Sequence, residues 1–243
     1  MSVRIRVYKD AEALWRGAAR LFAEISLQCI REQGSCSLAL SGGKTPRWLY
    51  GLLARLPYLR SIPWERVRVF WGDERFVPHS HEASNFRMAW ETLLSKVPVL
   101  ESNLFPVPTD AAGAEAAARA YEATLRSVFA LRDPVPPSLD LLLLGLGADG
   151  HTASLFPGGP ECDERMWWCV ASRAPEETPA SQRVTLTLPV INRARNVLFL
   201  VSGREKEAVL RKILSPDRSG APQYPAQRVA PAGELWWLTD IPV

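Results

Sequence analysis

Leu139-Asp140-Leu141-Leu142-Leu143-Leu144-Gly145-Leu146-Gly147-Ala148-Asp149-Gly150-His151-Thr152-Ala153-Ser154 runs from a nearly unbroken apolar stretch into a glycine-rich turn crowded with polar side chains. The apolar part lacks the alternation of a half-exposed strand, so it reads as a strand covered on both faces, the usual state of a parallel strand between helices. Four more short apolar runs, at 36–40, 67–71, 197–201 and 235–238, read as strands too. Helical patterns lie between and around them at 11–32, 46–55, 85–94, 111–129 and 205–214. This alternation predicts an α/β fold, a doubly wound, mainly parallel sheet with helices on both faces. Ligands of such sheets bind beyond the carboxyl ends of the strands, so the residues just after each run are where chemistry is expected.

With 243 residues, 47% of them hydrophobic, the chain can bury one large core, and residues 1–243 are expected to form a single domain. The proline- and glycine-rich stretches 132–137 and 156–160 are too short for interdomain linkers. The 29 basic and 26 acidic side chains are spread along the chain and leave a formal charge of +3, with no basic arm of the kind that seeks nucleic acid. No uncharged apolar run approaches the roughly 18 residues of a membrane span, and the opening segment is charged every few residues. A cytoplasmic chain with no membrane contact is therefore expected. Cys29, Cys36, Cys162 and Cys169 lack C-x-x-C spacing and read as small hydrophobes.

Three strand-to-loop junctions are unusual. Ser41-Gly42-Gly43-Lys44-Thr45-Pro46 has the grammar of a phosphate cradle: glycines that let backbone N–H groups approach an anion, two hydroxyls, and a following helix with its positive end at the same spot. Trp71-Gly72-Asp73-Glu74-Arg75 places three charges at the end of an apolar strand. The acids there can orient sugar hydroxyls, and Arg75 can pair with a carboxylate or grip a phosphate. An ion-pair cluster capping the sheet is the alternative. His79 and His81 follow in a polar loop and read as solvated.

The third junction is the turn quoted first. Gly145-Leu146-Gly147-Ala148-Asp149-Gly150 matches G-x-G-x-x-G, but Pro157-Gly158-Gly159-Pro160 arrives before the long helix and second acidic strand that a dinucleotide site requires. What remains is a tight turn holding Asp149 two residues from His151, where the carboxylate can fix the imidazole tautomer and stabilise its protonated form, as a general base requires. Further on, Ser181-Gln182-Arg183-Val184-Thr185 and Gly203-Arg204-Glu205-Lys206 each bring a cation near a strand or helix end.

Taken together, SGGKTP at 41–46, WGDERFVP at 71–78, SNFRM at 84–88, LLLLGLGADGHTASLFPG at 141–158, QRVTLTLP at 182–189 and SGREK at 202–206 resemble the 6-phosphogluconolactonases, within the glucosamine/galactosamine-6-phosphate isomerase-like superfamily. The resemblance runs from near residue 30 to the end of the chain. It implies a modified Rossmann-like fold, no metal, no nucleotide or other cofactor, and a small-molecule substrate: 6-phospho-D-glucono-1,5-lactone, opened to 6-phosphogluconate in the oxidative pentose phosphate pathway. By position His151 matches the family's general base and Asp149 its orienting neighbour. Ser41, Gly42, Gly43 and Thr45 would face the phosphate. Arg75, Arg183 and Lys206 match basic positions associated with substrate, and Asp73, Glu74 and Asn85 fall in the same substrate-facing motifs. Lys44 departs from the pattern, since the family more often has a small or uncharged residue there.

The related glucosamine-6-phosphate deaminases carry D-G-H-I-A-F-N-E-P, with a glutamate before the proline that helps open an amino-sugar ring. Here that position is Phe156. A sugar-phosphate sensor of the same fold would need a DNA-reading module, and the first α/β unit begins almost at once. A homo-oligomer is compatible with the sequence, which does not specify one.

Overall fold

The computed structural model describes residues 2–131, 135–175, 180–215 and 224–243, so residues 132–134 of the first proline-rich stretch lie outside the described residues. In chain order the elements are β1 Ser2–Val7, α1 Ala11–Gln33, β2 Cys36–Leu40, α2 Lys44–Leu53, α3 Tyr58–Ser61, β3 Val67–Trp71, β4 Asp73–Arg75, α4 Asn85–Thr92 and α5 Ala114–Val128. They continue with β5 Leu141–Leu144, β6 Cys169–Arg173, β7 Gln182–Leu186, α6 Leu188–Ile191, β8 Asn196–Val201, α7 Glu207–Leu214 and β9 Glu234–Thr239.

Six strands form one sheet in the order β1-β9-β8-β5-β2-β3, every pair parallel. Every residue of β2 and β5 is buried, so both faces of the sheet centre are covered, as the uninterrupted apolar runs required. β2 and β5 are neighbours in space. From β2 the chain goes outward to β3, and from β5 it goes the opposite way to β8 and β9. The loops that leave these two strands therefore part from each other, and a crevice opens at this topological switch point.

The helices begin and end where local chemistry dictates. Asp10 caps α1 by accepting the Ala13 N–H at 2.7 Å, and Gly34 closes it with φ +81°, a conformation that suits glycine. α1 buries Leu14, Ala18 and Phe22 in a cluster that extends through β2, β3, β5, β8 and β9 to Ile241. α2 starts at Lys44, two residues earlier than expected, because the phosphate-type loop itself enters the helix. α5 is shorter than its apolar pattern, and α7 starts at Glu207 after a 3-10 turn over Arg204–Lys206.

Four strands were not legible as such. β4, β7 and β6 form a separate antiparallel sheet, with Arg75 opposite Arg183 and Asp73 opposite Thr185. Its strands are short and carry charges, so no apolar run announces them. Gly72 joins the two sheets: its N–H donates to Leu40 and its carbonyl accepts from Leu186, both at 2.9 Å. β1 is exposed along its whole length. Arg4 and Arg6 lie over the Trp236 ring, at 4.8 and 4.6 Å from its centre, which guards this sheet edge with charge.

Among the described residues no helix is long and apolar enough to cross a membrane. All four cysteines are buried and free, as small hydrophobes would be.

Candidate functional site

A cleft of about 290 Å³ opens at the switch point. One wall is the loop after β2, with Ser41, Gly42, Gly43, Lys44 and Thr45. The other is the turn after β5, with Gly145, Leu146, Gly147 and His151. Asp73, Arg75, Asn85 and Lys206 complete the polar lining, and Ala153 and Leu200 add apolar surface. Three predicted site residues, Asp149, Glu74 and Arg183, do not line it.

The loop after β2 is built to meet an anion. Tyr50 pins its start: the hydroxyl accepts the Ser41 N–H at 3.0 Å and donates to the Ser41 carbonyl at 2.8 Å. Gly43 has φ +105°, and a Cβ on Gly42 would overlap the Asn85 amide, so both glycines are required. No side chain caps α2, which leaves its first backbone N–H groups facing the cleft. The Ser41 hydroxyl is buried and has no partner among the described residues, a donor held ready for a ligand.

The turn after β5 holds the two residues most suited to proton transfer. His151 Nδ1 lies 2.6 Å from Asp149 Oδ1, which also accepts the His151 backbone N–H at 3.1 Å. An ionised carboxylate only accepts, so Nδ1 carries the proton and Nε2 is the free base. A Cβ on Gly147 would overlap both His151 and Asp149, and Gly150 has φ +86°, so the pair exists because glycine occupies these positions. The imidazole packs against Phe156, ring centres 4.8 Å apart. Asp149 does not line the cleft, and its contact with the cleft lining is His151.

Glu74 has another task. Its carboxylate accepts the backbone N–H groups of Asn85, Phe86 and Arg75, each at 2.7 Å, and the Ser84 hydroxyl at 3.2 Å. It is therefore the seat of the α4 N-terminus, with 1% of its surface exposed, and it does not line the cleft. Burial pushes its carboxyl up to about 7 against the pull of these donors. Asp73 does face the cleft, with Oδ2 accepting from Ser154 at 2.7 Å and its carbonyl from the Asn85 amide at 2.9 Å.

Arg75 donates to the Ala83 carbonyl at 2.6 Å and stands opposite Arg183 in the small sheet. Arg183 is buried, and its Nε and Nη1 have no partner among the described residues. Burial, and then the neighbouring Arg75 charge, lowers its guanidinium to about 10. Arg75 in the cleft lining and Arg183 beside it, with open donors, are thus adjacent cations. Burial likewise holds the Lys206 ammonium below the usual lysine value, against the opposing charges of Glu205 and Asp240.

Sequence reasoning missed Ser154 as a site residue. It lies in the quoted motif, but its contact with Asp73 spans 81 positions. Ala153 turns it inward with φ +48°, and Thr185 accepts its N–H at 3.2 Å. The half-buried His79 and His81, expected to be solvated, hold the loop instead: His79 Nε2 meets the Val107 carbonyl at 2.9 Å and His81 accepts from Ala83 at 3.0 Å. Among the described residues one group with metal-ligand chemistry, Cys29, Cys36 and Asp140, lies together away from the cleft. Asp140 is already engaged by Ser37 and Gln33, and Cys36 is held as the neutral thiol by a hydrogen bond to Cys29 and by burial, so the donor set suits packing better than a metal.

Residues 9–237 match the family model described as glucosamine-6-phosphate isomerases/6-phosphogluconolactonase. The chain is 45% identical over 215 residues to a 6-phosphogluconolactonase of Synechocystis, an alignment covering 88% of this chain and 85% of that protein. Among solved structures, the 6-phosphogluconolactonase of Trypanosoma cruzi superposes with a TM-score of 0.86 at 33% identity, covering 98% of this chain and 96% of that one. The Trypanosoma brucei enzyme gives 0.85 at the same identity and coverage. With this match across most of its length, the chain belongs to the glucosamine-6-phosphate isomerase/6-phosphogluconolactonase family.

Proposed function

We propose that this chain is a cytoplasmic 6-phosphogluconolactonase that opens 6-phospho-D-glucono-1,5-lactone to 6-phospho-D-gluconate, with His151 as general base. The observation that carries this reading is the 2.6 Å His151–Asp149 pair at one wall of a cleft whose other wall is an anion-accepting loop. A lactone is an activated ester and needs little more than a positioned base and an anchored substrate. The phosphate sits on the loop of Ser41 to Thr45, within reach of Arg75 and Lys206, with the Arg183 charge behind them. Anchoring this remote group brings the carbonyl carbon near Nε2.

His151 Nε2 takes a proton from water as the water oxygen bonds to the lactone carbon. Asp149 stabilises the resulting imidazolium. The tetrahedral intermediate collapses with cleavage of the bond to the ring oxygen, which takes the proton back from His151 and leaves as a hydroxyl. Asp73, held by Ser154, is placed to accept from sugar hydroxyls.

Deamination is disfavoured by Phe156. This apolar ring packs on His151 where the related deaminases are expected to carry a glutamate.

The test is hydrolysis of 6-phosphogluconolactone by the purified chain in EDTA, followed by proton release with spontaneous opening subtracted. Acceleration that chelation leaves unchanged is expected, with no ammonia released from glucosamine 6-phosphate. No acceleration, or loss on chelation restored by zinc or magnesium, would overturn the reading.

A further inference from the structure

A second cavity, about 560 Å³ and larger than the substrate cleft, lies between α1 and α2 with Thr92 at the end of α4 on its rim. Trp48 is 58% exposed there and lies flat on Trp15, ring centres 4.9 Å apart and planes 13° from parallel. One face of Trp48 is backed by an indole and the other is open. Trp15 Nε1 is buried with no acceptor among the described residues.

The charge around this platform is one-sided. Lys44, Arg16, Arg47 and Arg55 line the cavity against one lining acid, Glu12, which is already bonded to Arg16, while the Glu91 carboxylate, bonded to Arg87, also acts on Arg47. Lys44, Arg47, Trp48, Gly51, Leu52 and Arg55 follow helical spacing and form one stripe along α2 and just past its end. Such a stripe normally faces a core. Gly51 weakens this helix, yet a Cβ there would meet nothing within 4 Å, so no neighbour demands glycine and its effect is to leave the cavity floor open.

We propose that this cavity is a binding site for a nucleotide, its base stacked on the open face of Trp48 and its phosphates held by Arg47, Arg55 and Lys44. A flat π-surface suits a ring of any base, and guanidinium forks suit phosphate oxygens. A bare anion would leave the indole face unused, and an uncharged aromatic would leave the cations unpaired. Lys44 lines both this cavity and the substrate cleft. Nucleotide phosphate and substrate phosphate therefore share one cation, and each weakens the other by the same factor.

The experiment titrates the whole chain with ADP, adenosine and pyrophosphate, using calorimetry and tryptophan fluorescence, on wild type and on Trp48→Ala, Trp48→Phe and Arg47→Ser. Circular dichroism checks that each variant is folded. ADP is expected to bind more tightly than either half-ligand. Trp48→Ala and Arg47→Ser should each weaken ADP by about tenfold, and Trp48→Phe by less, since a ring remains. ADP that does not bind at millimolar concentration, or that binds these variants as it binds wild type, would overturn the proposal. Pyrophosphate binding as tightly as ADP would reduce the site to an anion patch, and a dimer dispersed by Trp48→Ala would make the cavity an interface between copies; either overturns it. With lactonase activity established, ADP should also raise KM for the phosphorylated lactone and leave kcat unchanged. The binding arms stand without that activity.

Discussion

The turn after β5 and the short strand after β3 each carry an acid beside the same cleft, and the two acids have opposite surroundings. Asp149 keeps 45% of its side-chain surface in solvent and spends its contacts on one residue, His151. Glu74 is all but sealed and spends three contacts on the start of α4 and a fourth on the neighbouring Arg75 N–H. An acid that is wet and lightly held can support a change of charge next to it. An acid that is buried and saturated fixes backbone. The two differ in role because of where the chain puts them, since either residue type could serve as a base.

The sharpest way to break this contrast is His151→Asn, which keeps much of the shape and removes the base. A drop in kcat of roughly 100-fold or more is expected, with binding and melting temperature largely retained. Near wild-type turnover, after correction for spontaneous opening, would move the base to another residue, and Asp73 would be tested next.

Removing the anchor comes second. At least one of Arg75→Ala, Arg183→Met and Lys206→Met should cost about 2 kcal/mol in kcat/KM for the phosphorylated lactone, while unphosphorylated gluconolactone is hydrolysed as before. Arg183→Met also removes a buried charge with open donors, so its melting temperature should hold or rise. If all three variants treat the phosphorylated lactone like wild type, the phosphate lies elsewhere.

Gly147→Ala and Asp149→Asn probe the support of the imidazole. Each should lower kcat by about tenfold with the fold intact, the first by displacing the ring and the second by loss of the tautomer and the imidazolium partner. Full activity in Gly147→Ala would mean that the turn can shift without consequence.

The smallest effect belongs to Glu74 and is read in stability. Its folded-state value, about 7, lies above the ordinary carboxyl value of 4.5. The native state thus holds a proton that the unfolded chain has released, and this contribution is present below pH 4.5 and lost as pH rises through 7. Glu74→Gln mimics the neutral form, so its melting temperature should fall less than wild type over that window, by about 3 °C. Parallel pH profiles for the two proteins would refute this.

The large sheet was legible because β2, β5 and β8 are buried runs, and buried runs are apolar whatever surrounds them. The His151–Asp149 pair was legible because it is local, two residues joined by a glycine turn. The small sheet was not, because β4 consists of three charged residues and takes its partners from positions more than 100 residues away. Glu74 was placed with the substrate for the same reason: nothing in Asp73-Glu74-Arg75 shows that α4 will return to rest on its carboxylate. Arg183 gave only a cation near a strand, and its facing of Arg75 is a matter of register. The stacked indoles of Trp15 and Trp48 come from two helices, each of which read alone carries an ordinary aromatic.

The exposed edge strand has a consequence for the timing of synthesis. Among the described strands β1 is hydrogen-bonded to β9 alone, and Ser2 pairs with Glu234, so this edge strand is synthesised long before its partner. At roughly 5–20 residues per second, β1 waits on the order of tens of seconds for β9 to emerge. During that wait Arg4 and Arg6 hold charge on one face of the strand while Val3, Ile5 and Val7 line the other, and the charged face makes it a poorer template for other nascent chains. The two arginines that later settle on Trp236 thus first charge one face of an edge that still lacks its partner.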